Sequence, residues 1–334
     1  MSTYTAPDPG AVERRVDELL ARLTLQEKVS LLSGRDSWFT VPIERLGIQP
    51  LGMTDGPHGV RANRTGSERV QGTATCFPTG VAMAATWDPA LIERVGEALA
   101  EETLALGCDI LLGPCVNIVR TPLAGRNFEA YAEDPYLAGR IAVAWIKGLQ
   151  RRGVGASLKH YAANNQEVER MRGSSEVDER TLREIYLPAF EAAVKEAQPW
   201  TVMCSYNRLN GTYASEHEFL LNDVLRNEWG FDGLVVSDWG AVHSTAAPVL
   251  AGLDLEMPGP AKWFGNLLTE AVRTWQVDES AVDEAVRRIL RILARAGRLE
   301  GDERPEGAVN TPEHQTLARE VATESMVLLK NEGD

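Results

Sequence analysis

The chain has 334 residues, of which 44% are hydrophobic and 25% charged, an ordinary balance for a globular protein. Its 48 acidic residues against 34 basic ones give a formal net charge of −14. That argues against nucleic acid or an anionic membrane surface as the main partner, since both demand clustered positive charge. The opening, MSTYTAPDPG, is polar and poor in lysine and arginine with no apolar stretch behind it, so no signal peptide is expected. No later run approaches a membrane span. The cysteines, Cys76, Cys108, Cys115 and Cys204, show no Cys-x-x-Cys spacing and are expected to be free thiols in a reducing cytoplasm. The histidines lack metal-ligand spacing, so no metal is expected.

Behind the opening, GAVERRVDELLARLTLQEKVSLL carries helical periodicity. Strand-like and helix-like segments then alternate. Strands are expected at PLGMTDG (50–56), CDILLGP (108–114), VGASLKHYA (154–162), TVMCSY (201–206), GLVVSDW (233–239) and LDLEM (253–257). Between them, DERTLREIYLPAFEAAVKEA puts Leu182, Ile185, Ala189, Phe190 and Ala193 on one helical face, and SAVDEAVRRILRIL does the same with Val282, Val286, Ile289 and Leu293. Strands recurring every 30 to 55 residues or so, each followed by a helix, imply a parallel sheet. Their near-continuous apolar character implies cover on both faces. No Gly-x-Gly-x-x-Gly turn follows the first strand and no Walker lysine motif appears, which removes support for a nucleotide-binding open sheet. The expectation is therefore an α/β fold, a (β/α)₈-type TIM barrel over residues 1–310 with room for irregular or missing strands. Thr311-Pro312 reads as the start of a terminal helix that runs to the last residue, and 311–334 as a helix leading into a linker toward a further domain.

The unusual residues fall at strand ends. Asp55 ends the first strand, Lys159 and His160 the third, Met203 and Tyr206 lie on the fourth, and Asp238 ends the fifth. A barrel brings these carboxyl ends together on one face, where active sites lie. Each residue also has a plainer reading. Asp238 is a good helix N-cap. Arg126 has Glu129, Glu133 and Asp134 nearby for a simple ion pair. Trp239 alone is more often core than ligand platform. Lys159-His160 stands out more, because lysine is rarely buried without a partner; a Schiff-base lysine is the competing chemistry. The set most naturally serves glycoside hydrolysis. A carboxylate near its ordinary pKa of about 3.9 is ionised at neutral pH and can attack an anomeric carbon. Cationic donors and a second aspartate suit sugar hydroxyls, and indole and thioether surfaces suit the ring's apolar faces. No cofactor is needed.

The run from MTDGPHGVR through GRNFEAYAEDPYLAG, KHYAANNQEVER, MCSYN and LRNEWGFDGLVVSDWGA to SMVLLKNEG resembles the family 3 glycoside hydrolases, especially bacterial β-glucosidases, over nearly the whole chain. The resemblance implies that Asp238 is the nucleophile of a retaining mechanism acting on a β-glucoside or related small saccharide. It implies that Asp55 binds hydroxyls remote from the anomeric carbon, that Arg126, Lys159 and His160 bind others, and that Arg170 is a further arginine of the sugar pocket. Tyr206 matches a tyrosine near the nucleophile, and Met203 and Trp239 match pocket walls. Spacing alone would instead pair Asp55 with Asp238 as acid and nucleophile. The proline-glycine-histidine loop of the family's β-N-acetylhexosaminidases is absent from KHYAANNQ. In the β-glucosidase branch the acid/base is usually a glutamate on a second, α/β sandwich domain, and SMVLLKNEGD is similar to the segment leading into it. The implied partner is thus a carboxy-terminal domain of the same enzyme. Two other readings stand: a sugar-binding barrel without turnover, and an aldolase using Lys159.

Overall fold

The computed structural model describes residues 4–61 and 74–333. Five buried strands lie in chain order and pair in parallel: β1 (Met53–Asp55), β2 (Ile110–Leu112), β3 (Gly155–Tyr161), β4 (Thr201–Cys204) and β5 (Leu234–Ser237). Beyond β5 the ladder continues as single bridges. Leu255 pairs with Val236, Glu256 with Ser33, Gly34 with Thr40, and Phe39 with Gly52, the residue before β1. The backbone bonds Glu256 N–H to Leu32 O (2.9 Å) and Met53 N–H to Trp38 O (2.8 Å) tie this side together. The expected barrel is present. The strand expected at 253–257 is reduced to bridges, and the segment 33–40 joins the ring without being legible as strand.

Helices cover the ring. Pro89–Ala105 and Pro135–Arg151 each start with proline behind a capping aspartate, Asp88 and Asp134. They approach so closely that a Cβ on Gly148 would lie 2.0 Å from Glu93 O, and one on Gly96 2.4 Å from Trp145 O. Only glycine fits at that crossing. Val282, Val286, Ile289 and Leu293 are buried on Glu279–Arg295 as expected.

Four expectations are corrected. The first helical run is two helices, Pro9–Leu20 and Leu25–Leu31, because Thr24 forms a capping box with Glu27 and restarts the chain. Ile185 does not share the buried face of Leu182, Ala189, Phe190 and Ala193 but is 37% exposed. A π-turn over Leu182–Tyr186, closed by Leu187 N–H to Leu182 O at 2.9 Å, inserts a residue before Pro188 and shifts the phase. Tyr206 lies past the end of β4 rather than on it. The terminal helix, Pro312–Glu324, stops short of the last residue. Its His314, Leu317 and Val321 are buried, whereas Met326, Val327, Leu328 and Leu329 find no surface to cover and are exposed. Asp334 lies outside the described residues. All four cysteines are free, and no helix among the described residues is long and apolar enough to cross a membrane.

A buried charge cluster anchors the strand that leads to Asp238. Asp254 accepts from Val235 N–H (2.7 Å), from Arg226 Nη2 (2.8 Å) and from Arg288 Nη1 (2.9 Å). Removing one member of a buried ionic set strands the others, at a cost of about 3–5 kcal/mol. Asp254→Ala is expected to lose that much stability in urea unfolding; a loss below about 1 kcal/mol would show that the arginines re-pair freely.

Candidate active site

The carboxyl ends of the strands open into a cavity of about 230 Å³ lined by Asp55, Leu112, Arg126, Lys159, His160, Arg170, Met203, Tyr206, Asp238, Trp239 and Trp38. Every site residue expected from the sequence is among them. The volume falls below the range of drug-sized pockets, about 300–1,000 Å³, and suits one small ring. Consecutive strand residues normally point to opposite faces, yet Lys159 and His160 both line the cavity. The β3 ladder slips register between Leu158 and Tyr161, which permits this.

The Lys159 ammonium, with its side chain 3% exposed, sits 2.8 Å from Asp55 Oδ1 and 3.6 Å from Glu129 Oε2. Burial alone would lower its pKa, but the two carboxylates outweigh burial and hold it above the ordinary lysine value. The amine therefore stays protonated and unavailable as a Schiff-base nucleophile, which removes support for the aldolase reading. The reciprocal effect acts on Asp55: burial would raise its pKa, but Lys159, with the Gly56 N–H and Arg61, more than offsets this and holds it below the usual aspartate range. Arg126 forms the ion pair of its plainer reading and also lines the cavity. Its Nε bonds Glu129, while Nη2 lies 2.8 Å from His160 Nε2 at the cavity wall. Burial first, then Arg126, Lys159 and Arg170, push the His160 pKa well below its ordinary value, so the ring is neutral. Arg170 lies 4.7 Å over the Tyr206 ring and bonds Glu167 at 3.2 Å. A small sheet, Ser174–Ser175 with Arg208–Leu209 and Thr212–Tyr213, ties the segment after Arg170 to that after Tyr206.

Asp238 is not a helix cap. The next helix, Ala246–Ala251, begins at Thr245, and Asp238 Oδ1 accepts from the Trp239 N–H beside it at 2.8 Å. Its other oxygen, Oδ2, is buried and has no hydrogen-bond partner among the described residues; His160 Nε2 is 3.8 Å away. Tyr206 donates to the Trp239 carbonyl at 3.1 Å, and its hydroxyl also acts on the Asp238 carboxyl group, favouring the ionised form. The expectation of an ordinary pKa is corrected. Burial raises it, and the Trp239 N–H, Arg126, Lys159 and the Tyr206 hydroxyl only partly offset the rise.

The glycosyl hydrolase family 3 N terminal domain matches residues 60–292. The chain belongs to this family. It is 53% identical over 320 residues to a β-glucosidase of Rhizobium radiobacter, covering 95% of this chain and 39% of that protein. An exo-α-(1→6)-L-arabinopyranosidase of Bifidobacterium longum is 45% identical over 315 residues, covering 93% of this chain and 41% of its own. Among solved structures, β-glucosidase 3B from Thermotoga neapolitana in complex with glucose superposes with a TM-score of 0.90 at 42% identity, covering 95% of this chain and 48% of that one. The chain thus spans less than half the length of these relatives.

Sequence reasoning missed Trp38 and Leu112 as lining residues and the approach of Glu129 to Lys159. Trp38 reaches the cavity on a turn in which Asp36 Oδ1 accepts from the N–H groups of Trp38 (2.8 Å) and Phe39 (3.0 Å). It packs on Trp239 with ring centroids 5.6 Å apart. The Asp-Ser pair before two aromatics was the available signal for that turn.

A buried carboxyl group whose pKa is raised by folding favours the neutral form. Below the unfolded value, about pH 4, it costs nothing; as pH rises through the folded value, ionisation weakens the fold. Asp238→Asn, which cannot ionise, is therefore expected to raise the melting temperature at pH 7, with the gain shrinking toward pH 4. A variant less stable than the parent at pH 7 would show that the carboxylate is net stabilising.

Proposed function

We propose that this chain is the barrel part of a longer, retaining β-glucosidase-like hydrolase in which Asp238 attacks the anomeric carbon of a β-glucoside or related small glycoside. The unpartnered, buried Oδ2 of Asp238 carries this reading. Among the described residues this buried oxygen has no hydrogen-bond partner, and the Asp238 side chain lines the cavity. Attack forms the Oδ2–carbon bond as the bond to the leaving oxygen breaks, giving a covalent glycosyl intermediate that water later hydrolyses. Asp55, Arg126, Lys159, His160 and Arg170 supply charged and neutral partners for ring hydroxyls, and Met203, Tyr206, Trp38 and Trp239 the walls. The glucose-bound relative supports a hexose in such a pocket. The arabinopyranosidase relative favours a second substrate reading, an α-L-arabinopyranoside.

The leaving oxygen needs a proton, and a retaining enzyme takes it from a second carboxyl group about 5–5.5 Å from the nucleophile. Among the described residues the cavity offers only Asp55 besides Asp238, and Lys159 holds Asp55 as an anion. Glu129 is buried against Arg126 and Lys159, Glu167 pairs with Arg170, and Glu133 is exposed outside the cavity. On this reading the acid/base comes from a further domain of the same enzyme, reached through a helix and linker at 311–334. The greater length of the relatives and the exposed Met326–Leu329 run support this. Pocket binding without turnover is the behaviour this chain is expected to approach when alone.

Loss of general acid catalysis typically costs about 10²–10⁴-fold. The 334-residue chain is accordingly expected to leave alkyl glucosides nearly untouched while reacting slowly with an activated aryl glycoside. A 2-fluoro-glucoside is expected to label Asp238, as read by peptide mass mapping. Rapid cellobiose hydrolysis by this chain, or label on another residue, would overturn the proposal.

A further inference from the structure

The side chain of Asn117 stands outside the cavity lining yet touches His160 at three points. Asn117 Oδ1 accepts from the His160 backbone N–H at 2.9 Å, and Asn117 Nδ2 donates to the His160 carbonyl at 2.9 Å. Just before this point, the backbone of Pro114 and Val116 pairs with Lys159 at 2.9 Å on each side. The Asn117 amide thus supplies the next rung, where the β3 ladder slips.

These two bonds fix which end of the amide is oxygen, because an N–H must meet Oδ1 and a carbonyl must meet Nδ2. The third contact then follows. His160 Nδ1 lies 3.1 Å from that same Oδ1, so Nδ1 carries the ring proton and donates. Cys115 reinforces the arrangement. Its Sγ lies 3.5 Å from Asn117 Oδ1 and 3.6 Å from His160 Nδ1, and burial pushes the thiol up to about 12, so it remains a thiol. On the other edge of the ring, Arg126 Nη2 lies 2.8 Å from Nε2 and needs a lone pair there. Both edges demand the same tautomer.

We infer that Asn117 is a positioning residue that locks His160 as the Nδ1–H tautomer, so that a lone pair rather than a proton faces the nucleophile candidate Asp238. A proton on Nε2 would point toward Asp238 Oδ2, 3.8 Å away, and toward the Arg126 donor. It would engage the one carboxylate oxygen that is free to attack and displace the guanidinium. With the lock in place, Nε2 accepts from Arg126 or from a sugar hydroxyl. The charged and titratable groups facing the ring are Arg126, Lys159 and Arg170 as cations, Asp238 as the carboxyl group, and Cys115 as a neutral thiol.

The test uses the full-length enzyme. With ¹⁵N-labelled histidine, the His160 signals, assigned by their disappearance in His160→Gln, are expected to show a protonated Nδ1 and a bare Nε2 at neutral pH. Asn117→Asp puts a negative charge on Nδ1 and is expected to move the acidic limb of kcat/KM upward by about one pH unit or more. The kinetic arm rests on the reading of Asp238 as nucleophile, but the spectroscopic arm does not. A protonated Nε2 in the unaltered enzyme overturns the inference, even if Asn117→Asp fails to fold. An unmoved acidic limb in folded Asn117→Asp overturns the link between His160 and Asp238, while the tautomer itself is decided by the spectrum.

Discussion

A buried lysine organises this barrel mouth. An ammonium without partners in a low-dielectric interior costs several kcal/mol, and Lys159 meets that demand with Asp55 from β1 and Glu129 from the loop beyond β2. Glu129 in turn fixes Arg126, and Arg126 fixes His160. Charge pairing thus links three parts of the chain and leaves little freedom in where the polar groups of the cavity lie.

The same pairing isolates Asp238. Lys159 and Arg126 are matched by Asp55 and Glu129 before Asp238 is counted, so its ionised form is an unmatched negative charge in a buried place. That is why folding raises its pKa. A neutral sugar does not change this balance. A transition state with oxocarbenium character does, because positive charge develops on the sugar beside the surplus anion. A carboxylate that weakens the resting fold is well placed to stabilise such a transition state, a trade common at active sites.

Much of this was legible in the sequence. Polar residues closing apolar strands marked the carboxyl face, and Asp55, Lys159, His160 and Asp238 converge there because parallel strands in one ring share a direction. The segment 33–40 was not legible, since single bridges leave no periodic pattern, and the apolar run at 253–257 was read as a full strand where only bridges form. The terminal helix was overextended because the run through Met326–Leu329 reads as apolar helix, while only packing decides where a helix ends. The environment of Asp238 was misjudged for a related reason: burial is a property of neighbours distant in the chain. Asn117 was invisible, because a side chain replacing a backbone rung has no spacing rule.

The proposed mechanism requires that Asp238, and not Asp55, forms the bond to the anomeric carbon. Chemical rescue tests it most directly. In the longer enzyme proposed above, carrying Asp238→Gly, azide and an activated aryl β-glucoside should restore turnover and yield an α-glucosyl azide, the product of one inversion at the emptied position. The same experiment on Asp55→Gly should give no rescue. Recovery of α-glucosyl azide from Asp55→Gly and none from Asp238→Gly would contradict the account.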